Sequence, residues 1–150
     1  MKKILSFSFV TFIIDIISKI VVSNYLNLNE SIVIIKNFFN LTYVRNYGAA
    51  WSILNNRVSF LVIISLIIIG TIIYYISKKN NYNKMEILSY CLILGGALGN
   101  LINRVINGYV IDFLDFNILG YDYPIFNLAD TFIVIGVVLL FVNSLKKEKD

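Results

Sequence analysis

Four long apolar runs divide the chain, at residues 4–22, 58–77, 87–106 and 128–145. A helix needs about 20 mostly apolar residues to cross a bilayer, and each run is close to that length. The pattern predicts four membrane-spanning helices in a single domain covering 1–150. The second run carries no charge, whereas the first holds Asp15 and Lys19, the third ends near Arg104 and the fourth starts near Asp130. The first run follows Lys2 and Lys3. It is longer than a secretory signal core and lacks a small-x-small cleavage site after it, so it reads as a retained helix.

The connecting segments follow other patterns. Residues 31–44, "SIVIIKNFFNLTYV", are rich in β-branched and aromatic side chains and predict two short strands turning near Lys36 and Asn37. Gly48 permits a bend after them. Residues 49–54 are expected to form a short helix, with Trp51 at the water–lipid boundary. The fold class is a mainly helical membrane protein with a small β element.

Lysine and arginine set the orientation. Lys2 and Lys3, then Lys78, Lys79 and Lys84, then Lys146, Lys147 and Lys149 fall on one side of a four-span chain, which is therefore cytoplasmic. Segments 23–57 and 107–127 face outward. The second of these has no lysine or arginine but holds Asp112, Asp115 and Asp122.

Composition strengthens the membrane reading, with 58% hydrophobic and 15% charged residues, against about 25% charged in soluble domains. The net charge of +4 matters less than where the lysines sit. The absence of histidine and the single cysteine, Cys91, exclude a Ser-His-Asp triad, a Cys-His nucleophile and an ordinary zinc site. No metal, cofactor or nucleic-acid partner is expected, and Cys91 reads as a packing residue.

Ionisable groups inside spans are rare and mark function or a specific pair. Asp15 and Lys19 are spaced i, i+4, so they share a helix face, and at about 1.5 Å per residue they lie in the outer half of the span. They could simply neutralise each other and help the helix pack, or they could organise a polar site. Gly95 and Gly99 form a G-x-x-x-G step that allows close helix contact. Asn100, Asn103 and Arg104 then share one face. Snorkelling to the headgroups explains an arginine, but not two asparagines beside it. Asp130 and Asn127 suit a helix N-terminus. Asp112 and Asp115 alternate with Ile111, Phe113 and Phe116 and could merely face solvent.

Taken together, Asp15, Lys19, Asn46, Asn100, Arg104, Asp112, Asn127 and Asp130 come to one depth. Two aspartates without metal ligands suggest an acid/base pair sharing one proton. One would act on water while the other donates to a carbonyl oxygen or leaving amine. Two rivals stand beside this reading. One is a Ser-Lys protease using Lys19 with Ser18, Ser23 or Ser52. The other is a small proton-coupled transporter with Asp15, Lys19 and Asp130 as a relay.

Five blocks, "DIISK", "RNYGAAWS", "GGALGNLINR", "GYVIDFLDF" and "FNLAD", occur in an order and spacing that resemble the bacterial lipoprotein signal peptidases (signal peptidase II) over essentially the whole chain. The resemblance implies four transmembrane helices with an outer β-cradle and a short outer helix. It implies an aspartic endopeptidase of the bacterial cytoplasmic membrane, with both termini cytoplasmic and the site at the outer face. Substrates would be prolipoproteins whose lipobox cysteine carries a diacylglyceryl group, cut just before that cysteine, and membrane lipids would be the other partners of an enzyme expected to be monomeric. Matched motif by motif, the catalytic pair would be Asp112 and Asp130. Asp15, Lys19, Asn46, Gly48, Asn100, Arg104 and Asn127 resemble the residues that shape and polarise the site. The family usually has aspartate where this chain has Asn103. Asparagine keeps the size and the accepting oxygen, so Asn103 is expected to support the site rather than act as an acid.

Overall fold

A computed structural model describes residues 1–49 and 53–147. The apolar runs fold as α1 (Lys2–Tyr25), α2 (Val58–Lys78), α3 (Lys84–Asn107) and α4 (Leu128–Lys147), each long and apolar enough to cross a membrane. Each extends one to three residues past its apolar run at one end or both. Lys84, for example, opens α3 instead of lying in the loop, because Asn83 and Glu86 form a reciprocal capping box at its start. The same glutamate accepts from Lys79 Nζ at 2.6 Å and from Asn143 Nδ2 at 3.3 Å, which ties the α2–α3 loop to the end of α4.

α3 is the central helix: 56% of its span is buried inside the protein, against 22%, 17% and 17% for the others. Small residues make room for its neighbours. A Cβ at Gly95 would meet the carbonyl oxygen of Ser8 at 2.7 Å, and one at Gly99 would meet Asp15 Oδ2 at 2.1 Å. On the other side, a Cβ at Gly96 would meet the Ala129 carbonyl oxygen at 2.4 Å. The G-x-x-x-G step thus brings α1 against α3, and Gly96 brings in the start of α4. Cys91 is buried in the core beside Ile4, Ile69 and Leu94.

The strands make one antiparallel sheet in the order β1 (Ser31–Ile35), β2 (Phe39–Asn46), β3 (Val110–Ile118), β4 (Tyr121–Asp122). The first hairpin turns where the sequence suggested. β3 and β4 were not foreseen. The alternation of Ile111, Phe113 and Phe116 with two aspartates belongs to a strand covered on both faces. Ile111 and Phe113 pack with Val22 and Leu26 at the end of α1. Val110, Asp112 and Phe116 face a cavity. The expected helix at 49–54 lies largely outside the described residues, as does Trp51, and Ile53–Asn56 form a turn.

β2 contains a bulge. Leu41 pairs with Leu114 and Val44 with Asp112, so Thr42 and Tyr43 together oppose Phe113. A bulge shifts the side-chain alternation by one residue. It therefore turns Asn46 toward Asp112 and Arg45 to the opposite face, where its guanidinium lies 4.7 Å above the Tyr109 ring.

Candidate active site

The site forms where α1, α3, α4 and the sheet meet. Asp15 and Lys19 sit together in α1, at 0% and 1% exposure, with Nζ 2.7 Å from Asp15 Oδ2. A buried pair needs further hydrogen bonds to offset its desolvation, and it has them. Asp15 Oδ1 accepts the backbone N–H of Ala129 at 2.9 Å. Lys19 donates to Asn100 Oδ1 at 2.9 Å. Asp15 thus satisfies one of the orphan amides at the start of α4 and fixes that helix end against α1. The pair packs the helix and organises the site at once.

Asn127 immediately precedes α4. Its Oδ1 accepts the N–H of Asp130 at 3.0 Å, and Asp130 Oδ2 accepts the N–H of Asn127 at 3.3 Å. The sequence suggested a helix-start role for either residue, and the two serve it together as a reciprocal capping pair. It also has a consequence for chemistry. A backbone N–H can only donate, so the Asn127 oxygen is committed and its amide nitrogen must point away. That nitrogen donates to Asp112 Oδ1 at 2.6 Å and to Asn100 Oδ1 at 3.1 Å.

The other two asparagines are oriented by the same logic. Lys19, which has no acceptor, holds the Asn100 oxygen, so Asn100 Nδ2 donates to Asp130 Oδ1 at 2.8 Å. The Gly48 N–H holds the Asn46 oxygen at 2.9 Å, so Asn46 Nδ2 donates to Asp112 Oδ2 at 2.8 Å. Each of the four carboxylate oxygens of Asp112 and Asp130 therefore accepts one hydrogen bond from a fixed donor. Arg104 donates to the Gly48 carbonyl oxygen at 3.1 Å, which anchors the segment that Asn46 holds.

Asp112 and Asp130 line one cavity of about 680 Å³ with Arg104, Phe116, Tyr123 and Ile133. Asp112 is buried at 2% exposure and does not face bulk solvent. Burial, with the negative charge of Asp130 second, raises its pKa to about 7, against the opposing hydrogen bonds of Asn46 and Asn127 and the charge of Lys19. A carboxyl group poised there can hold or release a proton near neutrality.

All nine site residues expected from the sequence fall within this connected set. Asp115 does not: it lies across the strand, accepting from Thr42 Oγ1 at 2.6 Å. Asn103 accepts the N–H of Ile111 at 3.1 Å, which ties α3 to the residue before Asp112 and fits a supporting role. Ser18 and Ser23 bond back to carbonyls of their own helix, at 2.7 and 3.1 Å, and Ser52 lies outside the described residues. Lys19 is engaged by Asp15 and Asn100, which speaks against a Ser-Lys arrangement. Among the described residues, no group of three or more His, Cys, Asp or Glu side chains could hold a metal ion. Sequence reasoning missed the aromatic wall, in which Phe116 stacks on Phe126 with ring centroids 5.7 Å apart. The run of aromatic positions in 113–126 was its signal.

Comparison with known proteins bears on this geometry. The sequence model of the signal peptidase (SPase) II family matches residues 7–146. The chain belongs to the signal peptidase II family. It is accordingly an aspartic peptidase, a hydrolase, and a multi-pass cell-membrane protein. It is 41% identical over 143 residues to the lipoprotein signal peptidase of Staphylococcus aureus strain MRSA252, a match spanning 92% of this chain and 88% of that one. The identity and coverage are the same for the strain JH9 protein of that name. A bacterial membrane enzyme solved by the in meso method at 2.3 Å resolution superposes with a TM-score of 0.90 at 38% identity, over 99% of this chain and 90% of that one. A second such structure, at 1.9 Å, gives a TM-score of 0.86 at 38% identity, over 97% and 94%. Family membership decides for the peptidase over the transporter.

Proposed function

We propose that Asp112 and Asp130 are the catalytic dyad of this signal peptidase II, and that it removes the signal peptide of prolipoproteins by cutting before a diacylglyceryl-modified cysteine. One observation carries the reading: both carboxyl groups line one cavity and are cross-linked by Asn127, whose side chain donates to Asp112 while its backbone pairs with Asp130. Two acids so linked share one proton. The ionised member takes a proton from water as the water oxygen adds to the scissile carbonyl carbon, and the protonated member donates to the carbonyl oxygen; the C–N bond then breaks as the proton taken from water passes to the leaving amine.

The remaining residues hold this arrangement. Asp15 and Lys19 fix the start of α4 and the Asn100 amide. Asn46, Asn100 and Asn127 keep donors on the carboxyl groups, and Arg104 with Gly48 anchors the segment after β2. The cavity walls are mostly apolar and include Ile133, Val134 and Ile135 of α4, a helix long and apolar enough to span a membrane, so the substrate enters sideways with its acyl chains still in lipid. Its scissile segment must unwind, since helical carbonyls are already bonded. The chain works as a single domain and as a monomer, both termini are cytoplasmic, and the site stands at the outer face.

The test is cleavage of a diacylglyceryl-modified prolipoprotein in vesicles. Asp112→Asn and Asp130→Asn should each lower the rate by about 10²–10⁴-fold while the protein remains in the membrane. Full activity in either variant rules out the dyad.

A further inference from the structure

The hairpin joining β3 to β4 turns through Leu119 and Gly120, with φ of 54° and 87°. Both central residues are left-handed, as a two-residue type I′ turn requires. The first position of such turns favours asparagine, aspartate or glycine, because a branched apolar side chain is strained there. Here it is leucine, and that leucine is 104% exposed. Among the described residues the other non-glycine residues with positive φ are Asn29, Asn37, Asn56 and Leu54. A strained leucine pointing wholly outward gains nothing from water.

The hairpin is amphipathic. Asn117 pairs with Asp122 on one face and Ile118 with Tyr121 on the other. Asn117 Nδ2 donates to Asp122 Oδ1 at 2.6 Å, and Asn117 Oδ1 accepts the Gly120 N–H at 2.9 Å, which stiffens the turn from its polar side. Ile118 is 47% and Tyr121 59% exposed. The apolar face adjoins an exposed apolar side of α4: Ile118 and Tyr123 line the same cavity as Ile133, Val134 and Ile135, of which Val134 and Ile135 are 61% and 45% exposed. Residues 107–127 hold no lysine or arginine, and the charge beside the turn, Asp122, pairs with Asn117 on the polar face, so immersing the apolar face buries no charge.

We propose that the β3–β4 hairpin is a membrane-inserted wedge, with Leu119 in the outer lipid leaflet beside the mouth of the cavity. Continuity with the lipid-facing side of α4 makes the bilayer its partner. The wedge thins headgroup packing where a lipid-modified segment must pass from bilayer to cavity. The proposal rests on the reading that this end of the bundle stands at the outer membrane face.

The test places a nitroxide at position 119 by Leu119→Cys, with Cys91→Ala in the same chain, in phosphatidylglycerol vesicles. Collisional relaxation by oxygen and by a water-soluble nickel chelate then reports depth. Leu119 makes no buried contacts, so the substitution spares the fold. The result expected is oxygen-dominated relaxation at position 119 and chelate-dominated relaxation at a label introduced by Asp122→Cys on the opposite face. Chelate-dominated relaxation at both positions overturns the wedge. Prolipoprotein cleavage by the same labelled proteins separates the two readings: an aqueous tip on an active enzyme removes the wedge alone. In the unlabelled enzyme, Leu119→Asn suits the turn and should raise KM for the lipid-modified substrate several-fold with kcat unchanged. An unchanged KM also counts against the wedge.

Discussion

Replacing Asn46 with alanine removes a single donor from Asp112, the 2.8 Å bond to Oδ2. That bond favours the ionised carboxylate, so its loss lets Asp112 hold its proton more tightly. A hydrogen bond to a charged group contributes about 1.5–3 kcal/mol, and about 1.4 kcal/mol corresponds to one pH unit. The intact enzyme, with Asp112 near 7, should lose activity as pH rises through that value, because the dyad then loses its shared proton. In Asn46→Ala the descending limb should move up by about one to two pH units. The quantity to measure is kcat/KM for a lipid-modified peptide between pH 5 and about 10, since it reports groups of the free enzyme. Asn46 also accepts the Gly48 N–H, so the plateau rate will fall as well, but loosening of that segment does not by itself move a titration. A limb that stays in place, or moves to lower pH, refutes the account of how Asp112 is tuned.

Gly99→Ala should abolish cleavage and destabilise the protein by about 1–3 kcal/mol, because the new Cβ would stand 2.1 Å from Asp15 Oδ2. Gly70→Ala in α2 meets nothing within 4 Å and should be neutral or slightly stabilising; unfolding in mixed detergent compares the two. Lys19→Met leaves Asp15 buried without its partner and should cost about 3–5 kcal/mol. Adding Asp15→Leu should recover much of that stability but not activity, since Asn100 and the start of α4 lose their anchors. Asn103→Asp keeps the oxygen that accepts the Ile111 N–H and should retain cleavage, whereas Asn103→Leu should lose it; a rate assay on both decides.

The four spans were legible because lipid demands long uninterrupted apolar runs, and the i, i+4 spacing of Asp15 and Lys19 was legible because helices impose it. The spacing of Asn127 and Asp130 could likewise be read as a helix start. What local pattern could not supply was distant pairing. Asp15 caps an amide 114 positions away, and nothing near either residue announces it. β3 escaped notice because both its faces are covered: one by the end of α1, the other by the cavity wall. Its two aspartates therefore resembled a solvated edge. The bulge at Thr42 and Tyr43 was equally silent. Without it, strict alternation would turn Arg45, not Asn46, toward Asp112. Asn103 shows the converse. The resemblance led one to expect an aspartate there, but the Asn103 oxygen holds a backbone amide, a task that needs no charge.

The most direct test of a proton-sharing pair is a double-mutant cycle on cleavage rate with Asp112→Asn, Asp130→Asn and the two combined. Groups that act as one unit are non-additive, so the double variant should retain the same residual rate as either single one. A double variant slower by the product of the two single effects would show that the carboxyl groups act independently, and would contradict the account.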